Sequence, residues 1–445
     1  MHGLRMLLED RRLIWAAWLV IGLECVAALY LLRPWAKGDS FHYLLLAQNL
    51  SQHHYGVVTA NGFEPDVLRP PGYPIVLWVQ LHLLHLPPVA VVALQLCGTC
   101  GALFAIQRYL AKSGVNPAPF VIVAAAYPFP LLYSVMLFAE AWATVAITAA
   151  ALLLMRANSR AYAFAGAAAA VGALMRSDLL FVPVLLSMIV LLIERRCPVS
   201  KAQWIAKALV PSVAAALVLL PYAAWNYVHF HRASPAPIAG AVGTSLYLST
   251  WQRDLTWTDV QAIIGGGSTQ HIEAIGLGPA VREINRSIGA PENILAFDPW
   301  AYPDNHLRIA AAQAFRGAAI RRVEADPGRY AGHVAHNLWA LWVTKRYDGV
   351  PAAVGIPLII SSAAVFLLGL AGMATALFRP GGWVVPAVLV PLTLYPAAIH
   401  LWLHTEARYT AATRPLLMMF AGAFLAWLLS RERFASGAVE GRTRT

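Results

Sequence analysis

Charged residues are scarce in this chain. Asp, Glu, Lys and Arg make up 12% of its 445 residues, about half the share found in an average soluble domain. That shortage excludes an ordinary water-soluble globule. Cysteine is scarce too, with four in all and none after Cys197. The long polar segment beyond it therefore has no internal disulfide, even in an oxidising compartment. Cys97 and Cys100 form a C-x-x-C, but inside an apolar run, where the spacing merely puts both on one helix face. A redox or zinc role needs polar access and further ligands, so the pair reads as small buried thiols. No Lys-Ser/Thr follows Gly265-Gly266-Gly267, which excludes a P-loop phosphate cradle and leaves a mobile loop. The alternating short strands of an outer-membrane barrel are missing, as are internal repeats and low-complexity tracts. No small-residue cleavage site precedes Asp39, so the first apolar run is expected to be a retained helix and not a signal peptide.

What the chain has is apolar length. Hydrophobic residues reach 59% and the mean hydropathy is +0.59. Apolar runs fall at roughly 13–32, 89–111, 117–134, 136–155, 161–175, 178–193, 205–225, 353–377, 383–403 and 411–430, about ten spans near the ~20 residues a bilayer requires. The expected class is an all-α polytopic membrane protein. The net charge of +11 does not point to nucleic acid, because its placement follows the bilayer. With the N-terminus inside, alternate short loops carry Arg5, Arg11 and Arg12, then Arg108 and Lys112, then Arg156 and Arg160. Arg195, Arg196, Lys201 and Lys207 follow, then Arg379, and last Arg431, Arg433, Arg442 and Arg444. All lie on one side, as the positive-inside rule requires, and both termini are expected to be cytoplasmic.

Three blocks result: a transmembrane module over 1–225 holding an outer loop at 33–88, an extracytoplasmic stretch over 226–352, and membrane helices with a cytoplasmic tail over 353–445. A structureless loop as long as 226–352 is unusual, so a small, mainly helical outer-face layer is expected there. Asp304 is placed to cap a helix over 305–325, whose Leu307, Ala311, Ala314, Phe315 and Ala318 share a face. Asp326-Pro327 ends it and starts another over about 328–346, in which Trp339 and Trp342 suit an interfacial aromatic belt. In the first outer loop, Tyr43, Leu46, Ala47 and Leu50 recur at helical spacing and predict a helix lying on the membrane surface. The run 73–88 is too short to span and is bounded by Pro74 and Pro87-Pro88, which predicts a second juxtamembrane helix.

The same topology delivers the membrane-proximal charges to one face. Asp39 follows the first span outward, and Glu140 lies one turn into the span that begins near 136. Arg176 and Asp178 occupy an outer turn, and Glu406, Arg408 and Tyr409 lie in the last outer loop. Ionisable groups near the membrane are costly and usually face a cavity, so a shared cavity is expected. Arg69, Arg176 and Arg408 are candidates to bind a phosphate, whose oxygens a guanidinium fork matches in pairs. Asp39 is the candidate general base, taking the proton of an acceptor hydroxyl as it attacks. A lipid-phosphate leaving group is stable as an anion and calls for no protein acid. The plainer readings are a helix cap at Asp39, local charge pairs for Glu140 and for Arg176 with Asp178, and headgroup snorkelling by Arg69. His400 and His404, four residues apart with Glu406 nearby, supply two metal ligands without a third fixed by sequence. Interfacial histidine is more often structural.

Gly38-Asp39-Ser40-Phe41-His42-Tyr43, continuing through Ala47-Gln48-Asn49-Leu50 to Arg69-Pro70-Pro71-Gly72-Tyr73-Pro74, resembles the first outer loop of GT-C glycosyltransferases. The branch it resembles most is that of the protein O-mannosyltransferases and aminoarabinose transferases. Phe138-Ala139-Glu140, Arg176 after Ala173-Leu174-Met175, Asp326-Pro327-Gly328-Arg329-Tyr330 and Arg408-Tyr409 follow in the family's order and extend the likeness over much of the chain. The resemblance implies a GT-C-type transmembrane helical bundle. It also implies an inverting transferase that moves a hexosyl or pentosyl group from a polyprenyl-phosphate sugar to a glycan, lipid or protein acceptor. The site would face outward from a bacterial-type inner membrane. Asp39 and Glu140 fall in the implied catalytic set, Arg69, Arg176, Arg408 and Tyr409 at the donor phosphate, and Tyr43 and Tyr73 against sugar or acceptor. Some relatives use a divalent ion, which leaves a metal open, and no other cofactor is implied. Many members carry a second acid directly after the position of Asp39, where this chain has Ser40, and Glu64 or Asp66 are the spatial substitutes to look for. The alternative from another class is a transporter or flippase of a lipid-linked saccharide. The sequence shows neither the paired broken helices nor the pseudo-symmetry of such proteins.

Overall fold

The computed structural model describes residues 11–33, 35–59, 62–195, 200–240, 242–251, 254–255, 259, 263, 269–343, 352–378 and 384–442. Arg5, Arg196, Cys197, Gly265-Gly266-Gly267, Arg379 and Arg444 lie outside them. The apolar runs fold as helices because a helix satisfies its own backbone polar groups where lipid offers no partner. The first span, α1 (Arg11–Leu31), leads into the outer loop. There α2 (Asp39–Leu50) is followed by an antiparallel hairpin of β1 (Gly56–Thr59) and β2 (Gly62–Pro65), with Gly56 opposite Pro65. A short α3 (Gly72–Trp78) then runs into a π turn at Val79–Leu83.

Two glycines of this loop are required by geometry. Gly38 has φ +47°, a left-handed backbone that a side chain rarely tolerates, and it turns the chain so that Asp39 opens α2. Gly72 abuts the backbone of Leu174, where an added Cβ would lie 2.5 Å from the carbonyl oxygen. The segment carrying Arg69 is thereby set directly against the helix end that carries Arg176.

The remaining N-terminal helices are α4 (Pro88–Lys112), α5 (Ala118–Ala126), α6 (Phe129–Ser134), α7 (Glu140–Leu154), α8 (Ser159–Met175), α9 (Val182–Glu194) and α10 (Lys201–Phe230). The expected span 117–134 is broken after Ala126, where Tyr127 leaves the helical region (φ −136°, ψ 79°). Pro128 causes this, since its ring crowds a preceding residue in α conformation. The next span begins at Glu140, later than position 136, so the carboxylate belongs to the first turn of α7 and faces its positive end.

Among the described residues six helices are long and apolar enough to cross a membrane: Arg11–Leu31, Pro88–Lys112, Ser177–Glu194, Lys201–Phe230, Gly355–Leu377 and Ala407–Leu429. Glu140–Leu154 and Val388–His400 are apolar but shorter. Among the described residues, helix length and composition thus support six crossings, with the expected ten not reached because proline breaks and short helices interrupt the apolar runs. The chain is an integral membrane protein.

The stretch beyond α10 forms α11 (Val242–Ser249), α12 (Thr269–Ala274), α13 (Gly278–Ser287), α14 (Asn305–Ala325) and α15 (Pro327–Trp342) around a separate apolar core that includes Tyr247, Val281, Phe297 and Phe315. Asp304 caps α14 by accepting from Leu307 N at 2.8 Å, and Asp326 caps α15 through Arg329 N at 2.9 Å. The chain closes with α16 (Ala352–Leu377), α17 (Val384–His400), a 3-10 turn over Ala407–Thr413 and α18 (Arg414–Arg442).

Two expectations are corrected by packing. Trp339 is exposed, as an interfacial residue would be, but Trp342 is fully buried and stacks on Phe366 with centroids 5.6 Å apart. Cys97 is exposed and Cys100 half-buried, with Cys100 Sγ 3.8 Å from Cys25 Sγ, so the C-x-x-C is not a pair of buried thiols.

Candidate active site

A cavity of about 440 Å³ opens between the 33–88 segment, the ends of α7, α8 and α17, the segment joining α17 to α18, and the layer built by α11–α15. Asp39, Tyr43, Arg69, Glu140, Arg176, Arg408 and Tyr409 all line it. Charges spread over 370 positions of sequence meet there, as the shared-cavity expectation required.

Arg69 is held at every level. Asp66 accepts from the Leu68 and Arg69 backbone N–H groups at 3.1 and 2.7 Å, fixing the turn. The Tyr55 and Tyr222 hydroxyls donate to the Arg69 carbonyl at 2.7 and 3.3 Å. Its side-chain Nε donates to His42 Nδ1 at 3.4 Å. A guanidinium only donates, so Nδ1 must accept, and His42 Nε2–H is left to donate to Asp66 at 3.0 Å. Thus oriented, Arg69 Nη2 meets Asp39 Oδ1 at 2.6 Å, while Arg408 Nη1 meets Oδ2 at 3.0 Å. Burial alone would raise the Asp39 pKa, but Arg69 and Arg408 outweigh it and hold the carboxyl well below the usual carboxylate range.

Around Tyr409 two similar triads are arranged. Arg176 forks onto Asp178 at 3.1 and 2.9 Å and reaches Glu140 at 2.5 Å, and His400 Nε2 lies 2.9 Å from Asp178. Arg408 lies 2.7 Å from Glu406, whose other oxygen is 3.2 Å from His404 Nε2. Both guanidinium carbons lie over the Tyr409 ring, at 5.5 and 5.4 Å from its centroid, and His400 stacks on it at 4.4 Å. Burial raises Glu406, but Arg408 and then His404 outweigh it and leave its pKa at about 2.

These two depressed acids set an expected acid response. An unfolded Glu has its pKa at 4.5, so Asp39 and Glu406 contribute stability that is full above that value and lost as pH falls toward their folded pKa values. The unfolding temperature in detergent should therefore be level from about pH 7 to 5 and decline below about pH 4. A protein that becomes more heat-resistant on acidification through that range would contradict the pairing.

Tyr73 does not reach the cavity. It is fully buried beneath Tyr43, edge to face at 5.0 Å, and donates to Gln95 at 2.7 Å. Glu64 is also elsewhere: it accepts from Asn305 N at 3.1 Å and Arg308 at 3.3 Å, tying the hairpin to α14. Asp66 is committed to His42 and the Arg69 turn, so neither acid stands in for the one missing at Ser40. Among the described residues no three His, Cys, Asp or Glu side chains are grouped to hold a metal ion. His400 and His404 each face a carboxylate already bound to an arginine, an arrangement that does not fit a divalent cation. Sequence reasoning missed His42 as a partner of Arg69, although it lies inside the motif that named Asp39.

No protein-family model and no curated protein sequence matches this chain. In fold it is similar to the oligosaccharyltransferase of Archaeoglobus fulgidus in its apo form, with a TM-score of 0.52 and 13% identity over 95% of this chain and 52% of that one. The same TM-score, with 12% identity over 97% and 51%, relates it to the archaeal oligosaccharyltransferase AglB from that organism in complex with an inhibitory peptide and a dolichol-phosphate. This chain spans about half the length of that protein. ArnT from Cupriavidus metallidurans, bound to undecaprenyl phosphate, overlaps less well (TM-score 0.37, 15% identity, 91% and 77% covered) and carries no part of the argument. At such identities the likeness speaks for the fold. The chain has the GT-C fold of membrane glycosyltransferases, the one its ordered motifs resemble.

Proposed function

We propose that the chain is an inverting glycosyltransferase, taking a sugar from a polyprenyl-phosphate carrier and joining it to an acceptor hydroxyl at the outer face of a bacterial cytoplasmic membrane, with both termini cytoplasmic. One observation carries the reading: three half-buried arginines converge with Asp39 on a single cavity at the ends of apolar helices. The fold shared with an oligosaccharyltransferase seen with a dolichol-phosphate supports the donor class.

The phosphate of the donor competes with Asp39 for Arg69 and Arg408. As those guanidinium groups turn to phosphate oxygens, Asp39 loses the partners that depress its basicity and gains a free lone pair. The acceptor hydroxyl then attacks the anomeric carbon and gives its proton to Asp39. The new carbon–oxygen bond forms as the anomeric carbon–phosphate oxygen bond breaks, and the electron pair stays on the lipid phosphate, held by the arginines. Base activation thus waits for donor. Glu140 and Asp178 hold Arg176 in place for the same anion, which makes Glu140 a positioning residue. Tyr43, on the cavity wall beside Asp39 and Arg69, is placed for the sugar or acceptor. Leu180, Phe181, Ile399 and Leu403 give the cavity an apolar lip that suits a polyprenyl chain.

Purified protein given a panel of polyprenyl-phosphate sugars is expected to consume one of them and release polyprenyl phosphate when an acceptor hydroxyl is supplied. Movement of the intact lipid-linked saccharide across vesicles, without donor consumption, would overturn the enzyme reading in favour of a flippase.

A further inference from the structure

The cavity carries more acid than base. Asp39, Glu140, Asp178 and Glu406 are bonded to Arg69, Arg176 and Arg408, so four carboxylates share three guanidinium groups. With neutral histidines the cluster already bears one unbalanced negative charge, and a phosphodiester brings a second. None of these side chains is more than a quarter exposed, and unbalanced charge away from water is costly.

We infer that His400 and His404 take up protons when the donor phosphate binds, which links donor affinity to pH. This rests on the donor reading above. Each histidine already touches, through Nε2, the carboxylate that shares its arginine with the incoming phosphate, Asp178 for His400 and Glu406 for His404. When Arg176 and Arg408 turn toward phosphate, those two acids lose their counter-ions, and an imidazolium at the same hydrogen bond replaces them. Two protons cancel the negative charge left on those two acids. Histidine is the side chain whose charge changes most readily in the physiological range.

The second ring nitrogen gives independent support. His400 is 6% and His404 3% exposed, both line the cavity, and Nδ1 of each is buried without a hydrogen-bond partner. Neither Nδ1 is open to the cavity as the side chains stand, so a bond from it to phosphate or sugar oxygens requires the ring to shift when donor binds.

The groups facing the pair are known from every side. Asp178 and Arg176 come from the turn before α9, with Glu140 of α7 behind Arg176. Glu406, Arg408 and Tyr409 come from the last outer loop, with Asp39 behind Arg408. Tyr395, a turn earlier on α17, donates to the Asp178 carbonyl at 2.6 Å. The outer layer adds Asp298 at the rim and the Ser245 carbonyl, which accepts from His404 N at 2.8 Å. Among the described residues no lysine lines the cavity, and the three arginines are permanently charged.

The test is titration calorimetry of the detergent-solubilised protein with a polyprenyl methyl phosphate diester, whose phosphate does not titrate near neutrality. Binding is measured in two buffers of different ionisation enthalpy. The expected result is uptake of one to two protons per bound lipid at about pH 7.5, with affinity weakening as pH rises. His400→Gln and His404→Gln should each reduce the uptake, and the double variant should abolish it. Binding heats independent of buffer in the unaltered protein would overturn the inference while leaving the donor reading intact, and so would full uptake in the double variant. Absence of any binding by the unaltered protein would overturn the donor reading, and the inference with it.

Discussion

Asp39→Asn is expected to lower turnover by about 10²–10⁴-fold, the usual worth of a general base, while the chain stays folded and still binds donor. The substitution keeps the shape of the side chain, and its amide oxygen still accepts from one guanidinium. What disappears is the site for the acceptor's proton and the charge that occupied Arg69 and Arg408. Donor affinity should therefore hold or improve, so that kcat falls without a rise in donor KM. Glu140→Gln should behave differently. It loosens Arg176 without touching the proton path, and its effect should appear mainly as a higher donor KM. Unchanged turnover by Asp39→Asn at saturating donor and acceptor would remove Asp39 from the chemistry.

Arg414→Leu is expected to destabilise the protein by about 2–4 kcal/mol, since each buried acceptor left without its donor costs about 1–3 kcal/mol. Arg414 is completely buried at the start of α18. Its guanidinium donates to the Leu341 carbonyl at 3.0 Å, the Trp342 carbonyl at 2.8 Å, the Thr410 hydroxyl at 2.7 Å and the Tyr127 hydroxyl. The two carbonyls are those at the end of α15, which have no onward helical partner and carry the negative end of the helix dipole. No carboxylate is among its hydrogen-bond partners. The helix terminus takes that place. Leucine would fill part of the volume and take the guanidinium from the Trp342 carbonyl, while the Leu341 carbonyl would keep only the Thr410 hydroxyl at 3.2 Å, and Arg414→Lys would reach only some of the four acceptors. Unfolding in detergent measures the loss, and a midpoint equal to that of the unaltered protein would show that water or neighbouring groups make the bonds good.

The candidate site was legible in the sequence because charges are so few. Asp39, Glu140, Arg176 and Arg408 each border an apolar run, and the cost of leaving them in lipid implies a common polar space without any knowledge of the fold. Tyr73 was misplaced because α3 is only seven residues long, too short for its helical phase to say which residue points to the cavity. Glu64 and Asp66 were ambiguous for a similar reason: a carboxylate in a loop has many partners within reach, and only the docking of α14 on the hairpin selects Arg308 for one of them. The expected ten spans and the six long apolar helices differ in part because Pro128 divides a continuous apolar stretch, and hydropathy averages over a backbone break. Arg414 could have been noticed, as an arginine at the head of an apolar run far from the basic side. Its role still depended on finding the end of α15 beside it.

The hydrogen bond between Asp39 and Arg408 joins residues 369 positions apart, and that separation has a consequence for biosynthesis. Synthesis from the N-terminus makes Asp39 long before Arg408, which arrives only with the segment joining α17 to α18. During the interval Asp39 has Arg69 alone. The pocket is walled, and the carboxylate fully restrained, only when that later segment packs against the earlier one. A chain stalled or truncated before Arg408 would lack one wall of the cavity and one of the two cations that hold Asp39.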